Sequence, residues 1–113
     1  MSDRATTSGR PPAPGWEDGS APEPMDPATG QHTSYWILSD EERAKGFLRP
    51  MRRVYRHTVC GTSTSMSWQI AETYARDPTF YSATFCAQCR THLPVAEFRW
   101  IEADGSAGPV VGT

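Results

Sequence analysis

The sequence predicts a small α+β domain. Short strands and a β-hairpin surround two tight ligand-bearing turns, a helix is inserted between the turns, and a disordered leader precedes them. Three observations predict this. Residue types that ligate metals recur in pairs, His57 with Cys60 and Cys86 with Cys89, each pair separated by two residues. Between the pairs lies one apolar stripe of helical period, and beyond them apolar and polar residues alternate as in strands. Residues 1–34, in contrast, hold six of the ten prolines and have no apolar period. At 113 residues the chain is long enough for one domain.

The leader is expected to be disordered and acidic over residues 1–34, with the folded domain over 35–113. Asp3, Glu17, Asp18, Glu23 and Asp26 outnumber Arg4 and Arg10, a net charge of −3, whereas the remaining residues have nine bases and eight acids. A segment whose large apolar residues are confined to Trp16 and Met25 after Met1 buries too little surface to offset its chain entropy.

From residue 35 the elements follow in order. Tyr35-Trp36-Ile37-Leu38 is an apolar run, and Ser39 stands three residues before Glu42, the spacing of a capping box. Gly46 ends that short helix. Residues 52–58 alternate, with Arg52, Val54 and Arg56 on one face and Arg53, Tyr55 and His57 on the other. Residues 62–65, Thr-Ser-Thr-Ser, read as N-cap candidates for a helix over 66–76 with Met66, Ile70, Ala71, Tyr74 and Ala75 inward. Asp77-Pro78 stops it. Residues 95–101 alternate again, Asp104-Gly105 turns, and Val110-Val111 returns as the second strand of a hairpin. Phe80, Tyr81, Phe85, Phe98 and Trp100 are needed for the core of so small a domain, and Trp68 lies off the inner helical stripe.

Several classes are excluded. No apolar run is long enough to span a membrane, residues 1–34 contain no apolar core of a secretory signal, and three cysteines do not make a disulfide scaffold. The expected compartment is therefore cytoplasmic. No metalloprotease, nucleophile-elbow or phosphate-loop motif occurs. The His-x-Glu with Pro-Cys-x-x-Cys of zinc deaminases is missing too, because Thr58-Val59 follows His57 and Phe85 precedes Cys86.

The chemistry concentrates in His57, Cys60, Cys86 and Cys89. Two residues between ligands let one turn present both to a single ion, and two such turns supply the four tetrahedral ligands of a structural zinc. Gly61, next to Cys60, suits the reversed backbone that ends such a turn. His92 is the alternative fourth ligand, three residues after Cys89. A redox role for Cys86 and Cys89 fits poorly, since Pro94 and a strand-like stretch follow where a thioredoxin-type motif opens a helix. Four available ligands also predict a closed site without catalysis. Glu72, on the inserted helix, reads as an exposed helical charge.

One further feature is a basic stripe over residues 43–56, with Arg43, Lys45, Arg49, Arg52, Arg53 and Arg56 and no acid. Arg49, Arg52, Arg53, Tyr55 and Arg56 are the expected partner-binding residues, for protein or for nucleic acid.

With its paired turns His57-Thr-Val-Cys-Gly61 and Cys86-Ala-Gln-Cys89, the chain resembles a zinc ribbon carrying a helical insertion. It departs from that pattern in using His57 as first ligand and in lacking an evident strand after Cys60. From Arg49 to Gly112, with Ile70-Ala-Glu-Thr-Tyr-Ala-Arg-Asp-Pro78 inside, it also resembles a group of small uncharacterised phage and prophage proteins. Together the resemblances imply a structural Zn2+ and a non-enzymatic, phage-encoded adaptor that binds a host protein. A nucleic-acid binder is the alternative.

Overall fold

The computed structural model describes residues 3–113. Among the described residues, three antiparallel sheets and two α-helices make a mixed α and β structure. Strand β1 (Arg4–Thr6) pairs with β2 (Trp36–Leu38). Strands β4 (Ser63–Ser65), β3 (Val54–His57), β7 (Phe98–Ile101) and β8 (Ala107–Val110) form a four-stranded sheet in that order. Strand β5 (Ala83–Cys86) pairs with β6 (Thr91–Pro94). Helix α1 spans Asp40–Arg43 and α2 spans Trp68–Arg76. No helix among the described residues is long and apolar enough to cross a membrane.

The local chemistry explains most elements. Ser39 accepts a hydrogen bond from the Glu42 amide and starts the single turn of α1, which Gly46 closes at φ 107°. In β3 the alternation is as expected: Val54 and Arg56 are exposed, Tyr55 and His57 buried. Tyr55, Met66, Ala71, Tyr74, Cys86, Phe98, Trp100 and Val111 form the core, in which Tyr55, Tyr74 and Trp100 meet edge to face. Trp68 is exposed, with the Arg53 guanidinium 4.5 Å above its ring.

Two stretches differ from expectation. Ser63–Ser65 does not cap the helix; it is β4, paired with β3 in the register Val54↔Ser65. The cap is Ser67, whose hydroxyl accepts from the Ile70 amide. Residues 95–101 are not one strand. After Pro94 the backbone makes a 3-10 turn over Val95–Glu97, with the Val95 amide donating to the Ser82 carbonyl, and only then extends as β7.

The disorder expected for 1–34 is not the course that residues 3–34 take; Met1 and Ser2 lie outside the described residues. Trp36, Ile37 and Leu38 are all buried, so β2 needs cover on both faces. One side comes from α2, where the Thr73 hydroxyl accepts from the Leu38 amide. Cover on the other comes from residues 4–22. The Trp36 indole N–H donates to the Gly19 carbonyl at 2.9 Å, the Arg4 guanidinium lies 4.2 Å over the indole, and Ala21 and Pro22 are buried. The segment has no core of its own and shares that of β2, so β1–β2 pairing crosses the expected boundary at 34/35.

Candidate metal centre

Each ligand pair is presented by a hairpin. His57 ends β3 and Cys60 lies in the turn before β4; Cys86 ends β5 and Cys89 lies in the turn before β6. A strand thus does follow Cys60. Both turns close the same way: the Gly61 amide donates to the His57 carbonyl at 2.8 Å, and the Arg90 amide to the Cys86 carbonyl at 2.7 Å. The residue after each second ligand has a left-handed backbone, Gly61 at φ 75° and Arg90 at φ 56°. Glycine adopts that conformation freely, whereas a residue with a Cβ loses about 1 kcal/mol or more.

The four ligand atoms lie within 4.8 Å of one another. His57 Nδ1 is 3.2 Å from Cys60 Sγ and 3.7 Å from Cys89 Sγ, and Cys60 Sγ is 3.5 Å from Cys86 Sγ. A tetrahedron with metal–sulfur bonds of about 2.3 Å and a metal–nitrogen bond of about 2.0 Å has edges of roughly 3.5–3.8 Å. The residues fit the group: three sulfurs and one imidazole nitrogen can hold one tetrahedral metal ion. The cysteines are free thiols, and a 3.5 Å sulfur separation is far beyond a disulfide bond.

The surroundings tune the ligands. Glu97 Oε1 is 2.8 Å from His57 Nε2, and this hydrogen bond raises the His57 pKa above its usual value. The Glu97 carbonyl accepts from the Thr58 amide at 3.0 Å and from its hydroxyl at 2.9 Å, which fixes the 3-10 turn to the first ligand turn. Phe98, fully buried, packs against the imidazole at 4.7 Å between ring centres. The Cys60 thiol is drawn down to about 6, first by the Thr62 backbone amide and then by His57 and Cys86. Desolvation and the neighbouring thiols push Cys89 up to about 11. Clustered thiols that cannot all ionise together are what a cation would relieve.

His92 lies outside this cluster. Its Nε2 is 3.0 Å from the Tyr35 hydroxyl, and its ring stacks among His32, Tyr35 and Phe85. Glu97 is the residue that sequence spacing misses. It touches no metal position and contacts the far nitrogen of a ligand 40 positions away, so no ligand-pair rule points to it.

The basic stripe is taken apart by the fold. Arg43 pairs with Glu72 and Asp40, Lys45 with Glu42, and Arg52 with Glu102. Glu72 is therefore an ion-pair partner between the two helices. Arg53 donates to the Met66 carbonyl, and Arg49 to that of Leu48. Tyr55 is not a surface group: it is buried, and its hydroxyl donates to the Phe85 carbonyl. Arg56 is exposed and stands opposite Arg99 in the sheet. No protein-family model, curated protein or solved structure matches this chain.

Proposed function

We propose that the chain is a zinc-stabilised, non-enzymatic interaction module that binds a protein partner. The observation that carries this reading is the closed set of three thiols and one imidazole, with Glu97 engaged on His57. Such a set suits zinc by ligand softness and geometry and leaves no protein-free position for a substrate. The paired hairpins support a zinc-ribbon reading of the fold. Free thiols as ligands suit a reducing compartment, hence the cytoplasm, and the phage-group resemblance suggests that of a host cell.

A protein partner is favoured over nucleic acid because ion pairs occupy three of the six basic side chains of the stripe. Phe47 and Leu48 stand exposed beside Arg49, held by the Leu48 and Arg49 amides, which donate to the Ala75 carbonyl. This apolar pair with an adjacent guanidinium is the proposed contact. The test is a pull-down from host lysate with the zinc-loaded chain, followed by titration of the purified partner. Stoichiometric binding that Leu48→Asp reduces at least tenfold is expected. Salt-sensitive binding of duplex DNA at micromolar affinity, weakened when Arg52, Arg53 and Arg56 are changed together to Ala, would overturn it in favour of the nucleic-acid reading. Turnover of a disulfide substrate by the metal-free chain would favour a thiol oxidoreductase acting through Cys86 and Cys89.

A further inference from the structure

Residues 24–33 make a small hairpin of their own. Met25 and His32 face each other as an isolated antiparallel bridge, the Asp26 amide donates to the Gln31 carbonyl at 2.7 Å, and the Gly30 amide donates to the Asp26 carbonyl at 2.8 Å. The end of this hairpin lies on β5–β6, where Gly30 is buried against Arg90 and Phe85. Among the described residues, two hydrogen bonds join residues 23–35 to β5–β6. One runs from the Arg90 guanidinium to the Ala28 carbonyl, and the other links Tyr35 Oη and His92 Nε2 at 3.0 Å.

The direction of the second bond follows from its neighbours. Tyr35 is a neutral phenol, since burial raises its pKa, and its oxygen already accepts from the His32 amide at 3.1 Å. The single phenol proton has one acceptor in reach among the described residues, His92 Nε2, so His92 is neutral with its own proton on Nδ1. Protonation of Nε2 would reverse that bond and leave the hydroxyl proton without an acceptor. The His32 and His92 rings also lie 5.1 Å apart between centres, and His32 Nδ1 donates to the Glu23 carbonyl at 2.9 Å. A positive charge on one ring therefore opposes a charge on the other.

No carboxylate lies beside them to offset it. Both rings border one cavity, and the other titratable or charged groups lining it among the described residues are Arg4 of β1 and the phenols of Tyr35, Tyr55, Tyr74 and Tyr81. The Glu23 carboxylate pairs with Arg10, and that of Asp26 accepts from the Ala28 amide. Phe85, against the His92 ring, carries no charge. Burial and then His32 accordingly hold the His92 pKa below its ordinary value.

We propose that residues 23–35 are a pH-sensitive clasp, which lies on β5–β6 while His32 and His92 are neutral and lifts off as they take up protons. Once lifted, His92 regains an ordinary affinity for protons. The lifted form then binds more protons than the docked one, so docking weakens as pH falls below about 6.5 and is constant above it. The clasp depends on neither the metal ion nor the partner proposed above.

The test is amide hydrogen exchange by NMR on the full chain at pH 7.5 and pH 5.0, corrected for intrinsic exchange and with zinc in excess at both. Protection of the Gly30 and His32 amides should fall roughly fivefold or more, while that of the β3 amides stays level. His32→Asn combined with His92→Gln keeps neutral hydrogen-bonding groups and removes both titrations, so its protection should be the same at the two pH values. Independently of any variant, ring nitrogen shifts of the wild-type chain at pH 7.5 should show His92 protonated at Nδ1. The proposal is overturned by unchanged Gly30 and His32 protection in the wild type, by a fall that β3 shares, by an equal fall in the double variant, or by a His92 proton on Nε2.

Discussion

The Glu97 carboxylate and the His57 imidazole meet at 2.8 Å on the far side of the ring from the cysteines, so Nε2 is tied to Glu97 and Nδ1 is turned to Cys60 and Cys89. A carboxylate on the second nitrogen fixes the tautomer and orientation of a ligating histidine and makes it a stronger donor. A metal ion held by this cluster would therefore depend on a residue that does not touch it.

Glu97→Ala should lower zinc affinity about 10- to 100-fold, the usual loss when such a support is removed. Competition with a chromophoric chelator measures it. Unchanged affinity would mean that the imidazole is oriented by Phe98 packing alone.

His57→Ala should weaken zinc binding far more than His92→Ala, because His92 is occupied with Tyr35 away from the thiols. The same competition assay orders the two variants. The reverse order would place His92 in the coordination sphere.

Zinc affinity should fall as pH falls. Protons and metal compete for the same atoms, and the Glu97 hydrogen bond raises the His57 pKa above 6.5, so protonation of the imidazole sets in at a higher pH than in an unperturbed histidine. Cys89, pushed up to about 11, releases a proton on metal binding at any pH near 7. At least a tenfold loss of affinity is expected from pH 7 to pH 6. A flat profile over that interval would contradict the ligand set.

Gly30→Ala tests whether residues 3–34 are packed as described. Gly30 is buried at φ 79°, and a Cβ there would run into the Arg90 carbonyl beside the second ligand turn. A loss of about 1–3 kcal/mol is expected from the left-handed backbone and the clash, read as a lower unfolding temperature. Wild-type stability would mean that this segment does not dock.

What the residues revealed beforehand was local chemistry. The Ser39 cap, the alternation of Val54 to His57, the Asp104-Gly105 hairpin turn and the two ligand pairs all depend on neighbours a few positions apart. What stayed hidden depends on distant partners. Ser63–Ser65 is a strand because β3 offers it an edge, and Arg4–Thr6 because β2 does; neither has apolar alternation of its own. Gly61 announces the reversed backbone of the first turn, while Arg90 adopts the same conformation in the second without any residue signal. The 3-10 turn at Val95–Glu97 interrupts an alternating pattern because Pro94 and the Ser82 carbonyl redirect the chain.

In the proposed function, His57, Cys60, Cys86 and Cys89 hold one metal ion on which the fold depends. Structural zinc contributes on the order of 10 kcal/mol in small domains, comparable with the whole stability of about 5–15 kcal/mol. Native mass spectrometry before and after chelation, with circular dichroism on the same samples, tests this most directly. The expected result is a chain carrying one zinc in a narrow, compact charge-state distribution, which becomes broad and unfolded when the metal is stripped. A metal-free chain with the same compact distribution and an unchanged spectrum would contradict it.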